Sequence, residues 1–120
     1  MAQKKKAAIY MRIGRKKRAW IYCRVAAPDK AALRMQKKAL SAYAEEKQFE
    51  VVGITTEQGS GLSFDRDGIA KISRAVKQNQ IDVLLIANIS RLGRNTFEVL
   101  KYIHWLDSCG VRVVCMDGTM

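Results

Sequence analysis

The chain has one proline, one histidine and three cysteines in 120 residues, and its first 18 residues contain no acid. Each shortage removes a class of protein. A single proline beside 48% hydrophobic residues suits one buried core rather than a string of linkers, and the length is that of one domain. Cys23, Cys109 and Cys115 are odd in number and lack metal-ligand spacing. They read as thiols in a reduced, intracellular setting, not as a disulfide framework. Cys23 and Cys115 fall in strand-like runs, where cysteine behaves as a small buried hydrophobe. His104 stands in mid-helix with no partner at ligand spacing, which makes it structural. No apolar run approaches the roughly 20 residues of a membrane span. Residues 1–18 also lack the apolar core and small-residue cleavage site of a secretory leader.

What the chain does carry is positive charge, a net +11. Lys4, Lys5, Lys6, Arg12, Arg15, Lys16, Lys17 and Arg18 supply eight of its 22 basic residues, leaving 14 against 11 acids in residues 19–120. The basicity is therefore mostly that of an N-terminal arm, residues 1–18, expected to be disordered. Such an arm suits phosphate backbones without reading sequence. A solvated tail with no role is the alternative.

Beyond the arm, strand and helix periodicities alternate. Residues 19–26 read as a first strand. Pro28 and Asp29 open a helix over about 30–47, with Leu33, Leu40 and Tyr43 inward and Ala32, Ala39 and Ala44 beside them. Residues 49–56 are β-branched and read as strand two, followed by a flexible glycine–serine loop over 58–63. A helix over about 67–78 turns Ile69, Ile72 and Val76 inward. The nearly continuous apolar run 81–88 fits a central parallel strand covered on both faces. A helix over 96–109 has Glu98 near its positive end and Gly110 as its stop, and 111–116 is the last strand. Trp20, Trp105, Tyr43 and Tyr102 read as core or interface rather than as base-stacking platforms. This alternation implies an α/β fold with a mainly parallel sheet of about four strands and right-handed crossovers. Ligand chemistry in such sheets collects at the carboxyl ends of the strands, which places Arg24, Ala26, Ser90, Arg91 and Arg94 on one rim. One internal echo, residues 8–14 against 20–26, offers a second candidate for strand one. The later copy is preferred because a capped helix follows it at once.

Phosphodiester cleavage by a side chain needs a nucleophile, cations for the developing charge and a path for protons. Arginine suits the second task, because its planar fork grips phosphate in two places and stays charged. Arg24, Arg66, Arg91 and Arg94 are the candidate phosphate-binding residues. Arg91 and Arg94 share a face if the turn between them is helical. Gln36 lies on the inward stripe of the first helix, three residues after Leu33 and four before Leu40. A buried amide there must find partners, on the rim or within the core, unless Gln36 sits at an edge position.

Tyr22-Cys23-Arg24-Val25-Ala26, Gln36, the Gly59-Ser60-Gly61 loop with Arg66 beyond it, and Ser90-Arg91-Leu92-Gly93-Arg94 occur in this order. Together they resemble the catalytic domain of the serine recombinases, the resolvase/invertase family, over residues 19–116. The resemblance implies a resolvase-like three-layer fold in residues 19–120. It also implies a role in DNA recombination, DNA as partner, and assembly with copies of itself or with a full-length recombinase. It implies no cofactor, metal or membrane, and a cytoplasmic location, nucleoid-associated when DNA is bound.

Three departures stand out. The family closes its first strand with Tyr-x-Arg-Val-Ser, and that serine attacks DNA; here the position is Ala26. Losing a nucleophile costs on the order of a millionfold in a serine protease. The family's aspartate before the first arginine of the pair is Ser90 here. The long helix and DNA-binding domain that follow in the family are expected to be absent after Met120. The expectation is a catalytically inactive domain that acts through DNA phosphates or by pairing with an active recombinase. One alternative is an active strand-exchange enzyme, using Ser60, Ser63 or Ser90, or one in which Ala26 is an engineered change. Cys23 is a poor substitute, because it alternates to the face opposite Arg24. The other alternative is a protein-interaction remnant with no DNA role.

Overall fold

Alternation along the first strand sets the layering. The computed structural model describes residues 16–61 and 66–118. In β1 (Arg18–Val25), Ala19, Ile21 and Cys23 face one way and Trp20 and Tyr22 the other. Both sets are packed, so this strand is central. It is followed by α1 (Lys30–Glu46), β2 (Glu50–Gln58), α2 (Asp67–Lys77), β3 (Val83–Ile86), a short 3-10 turn (Ile89–Arg91), α3 (Thr96–Ser108) and β4 (Arg112–Cys115). The four strands pair in the order β2-β1-β3-β4, and every pairing is parallel. The three-layer α/β expectation is therefore met, with element ends within about two residues of those read from periodicity.

One layer is α1, whose Leu40 and Ala44 pack on Ala19, Ile21, Cys23, Val83 and Leu85. The other is α2 and α3, whose Ile69, Ile72, Val76, Val99 and Leu106 pack on Tyr22, Leu84, Ile86 and Val113. Trp20, Trp105 and Tyr102 join the second core and Tyr43 the first, as read from the sequence. Burying each large aliphatic side chain contributes about 1.5–3 kcal/mol, so two such cores sandwich the sheet firmly.

The helices begin and end by identifiable devices. Asp29 Oδ1 accepts from the Ala32 N–H at 2.9 Å and Asn95 Oδ1 from the Glu98 N–H at 3.2 Å, capping α1 and α3. All three helices end in the same motif. Gln48, Asn79 and Gly110 have φ of 61°, 56° and 80°. The next residue's N–H in each case reaches back to the helix: Phe49 to Ala44, Gln80 to Ala75 and Val111 to Leu106, at 2.8–3.0 Å. Only the third stop was legible as a glycine.

The basic arm falls outside the described residues up to residue 15, and with it the echo at 8–14; Ser63 falls outside them too. Arg18, counted with the arm, is instead the first residue of β1. Its guanidinium pairs with Asp82 at 3.0 Å and donates to the Asn79 carbonyl at 2.9 Å. Asp82 in turn raises the Arg18 pKa, through that hydrogen bond first and despite partial burial. No helix among the described residues is long and apolar enough to cross a membrane.

Candidate functional site

The sheet itself chooses the location. From β1 the chain crosses to β2 on one side, then returns past β1 to β3 on the other. The switch point lies between the carboxyl ends of β1 and β3, where open α/β sheets leave a crevice. The β1–β3 ladder stops at Ile21 opposite Leu85, whereas β1–β2 continues to Val25 opposite Gln58. The Val25 carbonyl accepts from Gly59 N–H on the β2 side. The peptide groups of Arg24 therefore face the side that β3 has left.

Gln36 fills that vacancy. Its Oε1 accepts from the Arg24 N–H at 3.1 Å, and its Nε2 donates to the Arg24 carbonyl at 3.3 Å. Arg91 Nη1 donates to the same carbonyl at 3.0 Å. Gln36 therefore bonds to the strand end that carries the rim, rather than being satisfied within the core.

The Arg24 side chain is 4% exposed. Its Nε donates to the Arg91 carbonyl at 3.0 Å, Nη1 to the Gly59 carbonyl at 2.6 Å and Nη2 to the Ser90 carbonyl at 2.8 Å. One guanidinium thus ties β1 to the glycine loop and to the turn after β3. Burial lowers its pKa, and the neighbouring charges of Arg66 and Arg91 push the same way. Arg24 braces the rim and adds its charge to the rim's field.

Arg66 reaches the cluster from the other end of the glycine loop. Its Nε lies 3.4 Å from Glu57 Oε1, its Nη2 donates to the Leu92 carbonyl, and its guanidinium sits 5.9 Å from the centre of the Tyr22 ring. Glu57 is the residue that sequence reasoning missed. Its Oε1 accepts from the Tyr22 hydroxyl at 2.6 Å, and Oε2 accepts from the Gly68 N–H at 2.7 Å, capping α2 from a different element. Burial, then the bond to Glu57, raises the Tyr22 pKa far above the ordinary phenol value. The available signal was a carboxylate two residues before Gly59, at the carboxyl end of a parallel strand.

Gly61 locks the loop to the rim. Its carbonyl accepts from the Arg94 N–H at 2.8 Å. A methyl group there would lie 2.6 Å from Arg94 Cγ and 2.9 Å from Arg24 Nη2. The Arg94 side chain itself is exposed. Ser90 is exposed too, but its hydroxyl donates to Asn88 Oδ1. Ala26 is exposed immediately beyond β1 and offers only a methyl group. Arg24, Gln36, Arg66, Ser90, Arg91 and Arg94 are thus joined around one loop and one turn. Among the described residues, no three His, Cys, Asp or Glu side chains gather as a metal site.

Shape and charge together define an α/β domain with an arginine-built rim at its switch point. A family model, the N-terminal domain of resolvases, matches residues 19–120, and the chain belongs to that family. It is 36% identical over 64 residues to the transposon Tn3 resolvase of Escherichia coli, which is 53% of this chain and 34% of that protein. The chain thus spans about a third of that relative's length. Its fold is similar to the C-terminal catalytic domain of ISC1926 TnpA, an IS607-like serine recombinase, with a TM-score of 0.77 and 34% identity over 82% of this chain and 68% of that one. It is also similar to a resolvase family site-specific recombinase from Streptococcus pneumoniae, with a TM-score of 0.76 and 25% identity over 88% and 75%.

Proposed function

We propose that this chain is a serine-recombinase-type domain that holds DNA phosphates at its arginine rim without cutting the strand. It takes part in recombination by pairing with an active recombinase or with its own copies. The observation that carries the reading is the assembly of Arg24, Arg66, Arg91 and Arg94 around one loop, with Glu57 as the carboxylate bonded into it, and a methyl group at Ala26 where the family's nucleophile belongs. A cationic rim with a methyl group at the nucleophile's position can bind a phosphodiester but lacks the hydroxyl that would attack it from there. Ser90 does not take over, because its hydroxyl donates to the Asn88 side-chain amide, which is no general base. Pairing is supported by Phe97 and Leu100 on α3, which remain 70% and 59% exposed.

The test is the affinity of the chain for duplex DNA as salt is raised. Phosphate contacts release counterions, so affinity falls linearly on a log–log plot. Arg94→Ala, at an exposed side chain, weakens binding and flattens that slope by about one. Binding that ignores both salt and this substitution overturns the reading and leaves the protein-interaction remnant.

A further inference from the structure

A second basic feature lies outside the rim, on the opposite layer. Lys30, Arg34 and Lys37 follow one another at i, i+4 and i+7 along α1 and therefore share a face. Lys38 stands beside them, and residues 30–44 contain no acid. With Leu33 and Thr56, the three cations line a cleft of about 250 Å3 between α1 and the edge strand β2. Thr56 pairs in register with Cys23, which faces α1, so its hydroxyl-bearing side chain is on the cleft side of the sheet. Among the described residues, none of the three cations pairs with a carboxylate.

The position of this cleft matters as much as its charge. A helix that connects parallel strands runs opposite to them, so α1 begins at the end of the sheet where the rim lies. Lys30 is four residues after Ala26. The basic face therefore starts beside the rim and leads away from it. From Lys30 to Lys37 the helix rises roughly 10 Å. That matches about three base-pair steps along a duplex.

We propose that this face of α1, with the cleft at Thr56, is a phosphate-backbone tract that carries the DNA onward from the arginine rim. The occupant is the same duplex strand, and the recognition is charge without base readout. Lysine suits this task, because it presents a mobile point charge that follows a backbone of variable shape. Leu33 contributes an apolar floor for the deoxyribose, and the Thr56 hydroxyl is the one neutral donor in the cleft. The proposal rests on the reading that the rim engages DNA, and its test separates the two.

Three variants of the whole chain are compared with the native chain on one fluorescent duplex, with affinity measured by anisotropy across a salt series. Lys30→Gln, Arg34→Gln and Lys37→Gln together remove the tract. Lys71→Gln, Arg74→Gln and Lys77→Gln together remove the same charge from exposed positions of α2, on the other layer. Arg94→Gln reports on the rim. The α1 variant is expected to flatten the log–log slope by roughly 2 to 3, at about 0.9 per phosphate contact, while the α2 variant leaves the slope near native. Equal flattening by the α1 and α2 variants overturns the tract, because net charge alone then explains it. An α1 variant with the native slope also overturns it, and a flattened Arg94→Gln slope in that case leaves the rim reading standing. An unaffected Arg94→Gln beside a flattened α1 variant overturns the rim reading and keeps the tract. A native chain that does not bind overturns both. All substituted side chains are exposed, and matching urea midpoints establish that each variant is folded.

Discussion

Arg24 and Gln36 are joined twice, the Gln36 amide accepting from the Arg24 N–H at 3.1 Å and donating to its carbonyl at 3.3 Å. A side-chain amide presents the same donor and acceptor pair as a peptide. It therefore completes the sheet edge where β3 has turned away, and it holds the backbone two residues before Ala26.

Gln36→Leu strips the Arg24 N–H of this partner, while the carbonyl keeps Arg91. An unsatisfied donor costs about 1–3 kcal/mol. Urea denaturation should show that loss for Gln36→Leu and a smaller one for Gln36→Glu, which keeps the acceptor. Equal losses would mean that the residue matters only for its bulk.

The two glycines of the loop should behave differently. A Cβ at Gly59 meets nothing within 4 Å, whereas one at Gly61 meets Arg94 Cγ at 2.6 Å and the Arg94 nitrogen at 3.1 Å. Gly61→Ala is expected to cost about 1–3 kcal/mol through overpacking. Gly59→Ala should stay within about 0.5 kcal/mol of native. The comparison is read from denaturation midpoints, and a reversed order contradicts the docking of the loop on Arg94.

Glu57 holds the Tyr22 hydroxyl, Arg66 and the first turn of α2. Glu57→Ala leaves the Arg66 charge, 8% exposed, without that carboxylate. The expected loss is about 2 kcal/mol. It stays below the 3–5 kcal/mol of a fully buried pair, because Glu57 keeps 14% exposure. Circular dichroism on thermal melting reads it, and an unchanged melting temperature would remove Glu57 from the account.

Burial pushes the Cys23 thiol up to about 11, and Cys109 is exposed while Cys115 is buried. Iodoacetamide at pH 8 should therefore alkylate one cysteine of the native chain, Cys109, and all three in denaturant, as read by intact mass. The sign of the linked pH effect follows. Cys23 keeps its proton in the folded chain at a pH where the unfolded chain has lost it. Its contribution to stability is full below about 9 and declines as pH rises to about 11. Tyr102, pushed up to about 12 by burial despite its bond to Ser73, extends the decline from about 10 upward. Cys23→Ala should flatten the fall between pH 9 and 11 by at most about 1.4 kcal/mol per pH unit. An equally steep fall in that variant places the proton elsewhere.

Much of the fold was legible because its signals are local. The apolar runs of β1 and β3, the cap at Asp29 and the stop at Gly110 each lie within a few residues of what they determine. The stop at Gln48 was not legible, since glutamine does not advertise a left-handed backbone, whereas Asn79 carries a weaker form of the signal that glycine gives at Gly110. The types of the rim residues were legible and their partners were not. Arg24 looked like a free phosphate ligand, yet the carbonyls it binds, from Gly59, Ser90 and Arg91, come together only through the crossover of β2 to β3. Glu57 was hidden for the same reason, because its three partners belong to β1, α2 and the segment between β2 and α2.

Holding DNA at this rim without cutting it is the proposed role, and it can be tested directly. The direct measurement incubates the native chain with supercoiled plasmid and resolves the products under denaturing conditions, with a search for protein covalently attached to DNA. Bound but intact plasmid and no adduct are expected. Nicked plasmid with DNA linked to any serine of the native chain, Ser60 and Ser90 included, would contradict that role.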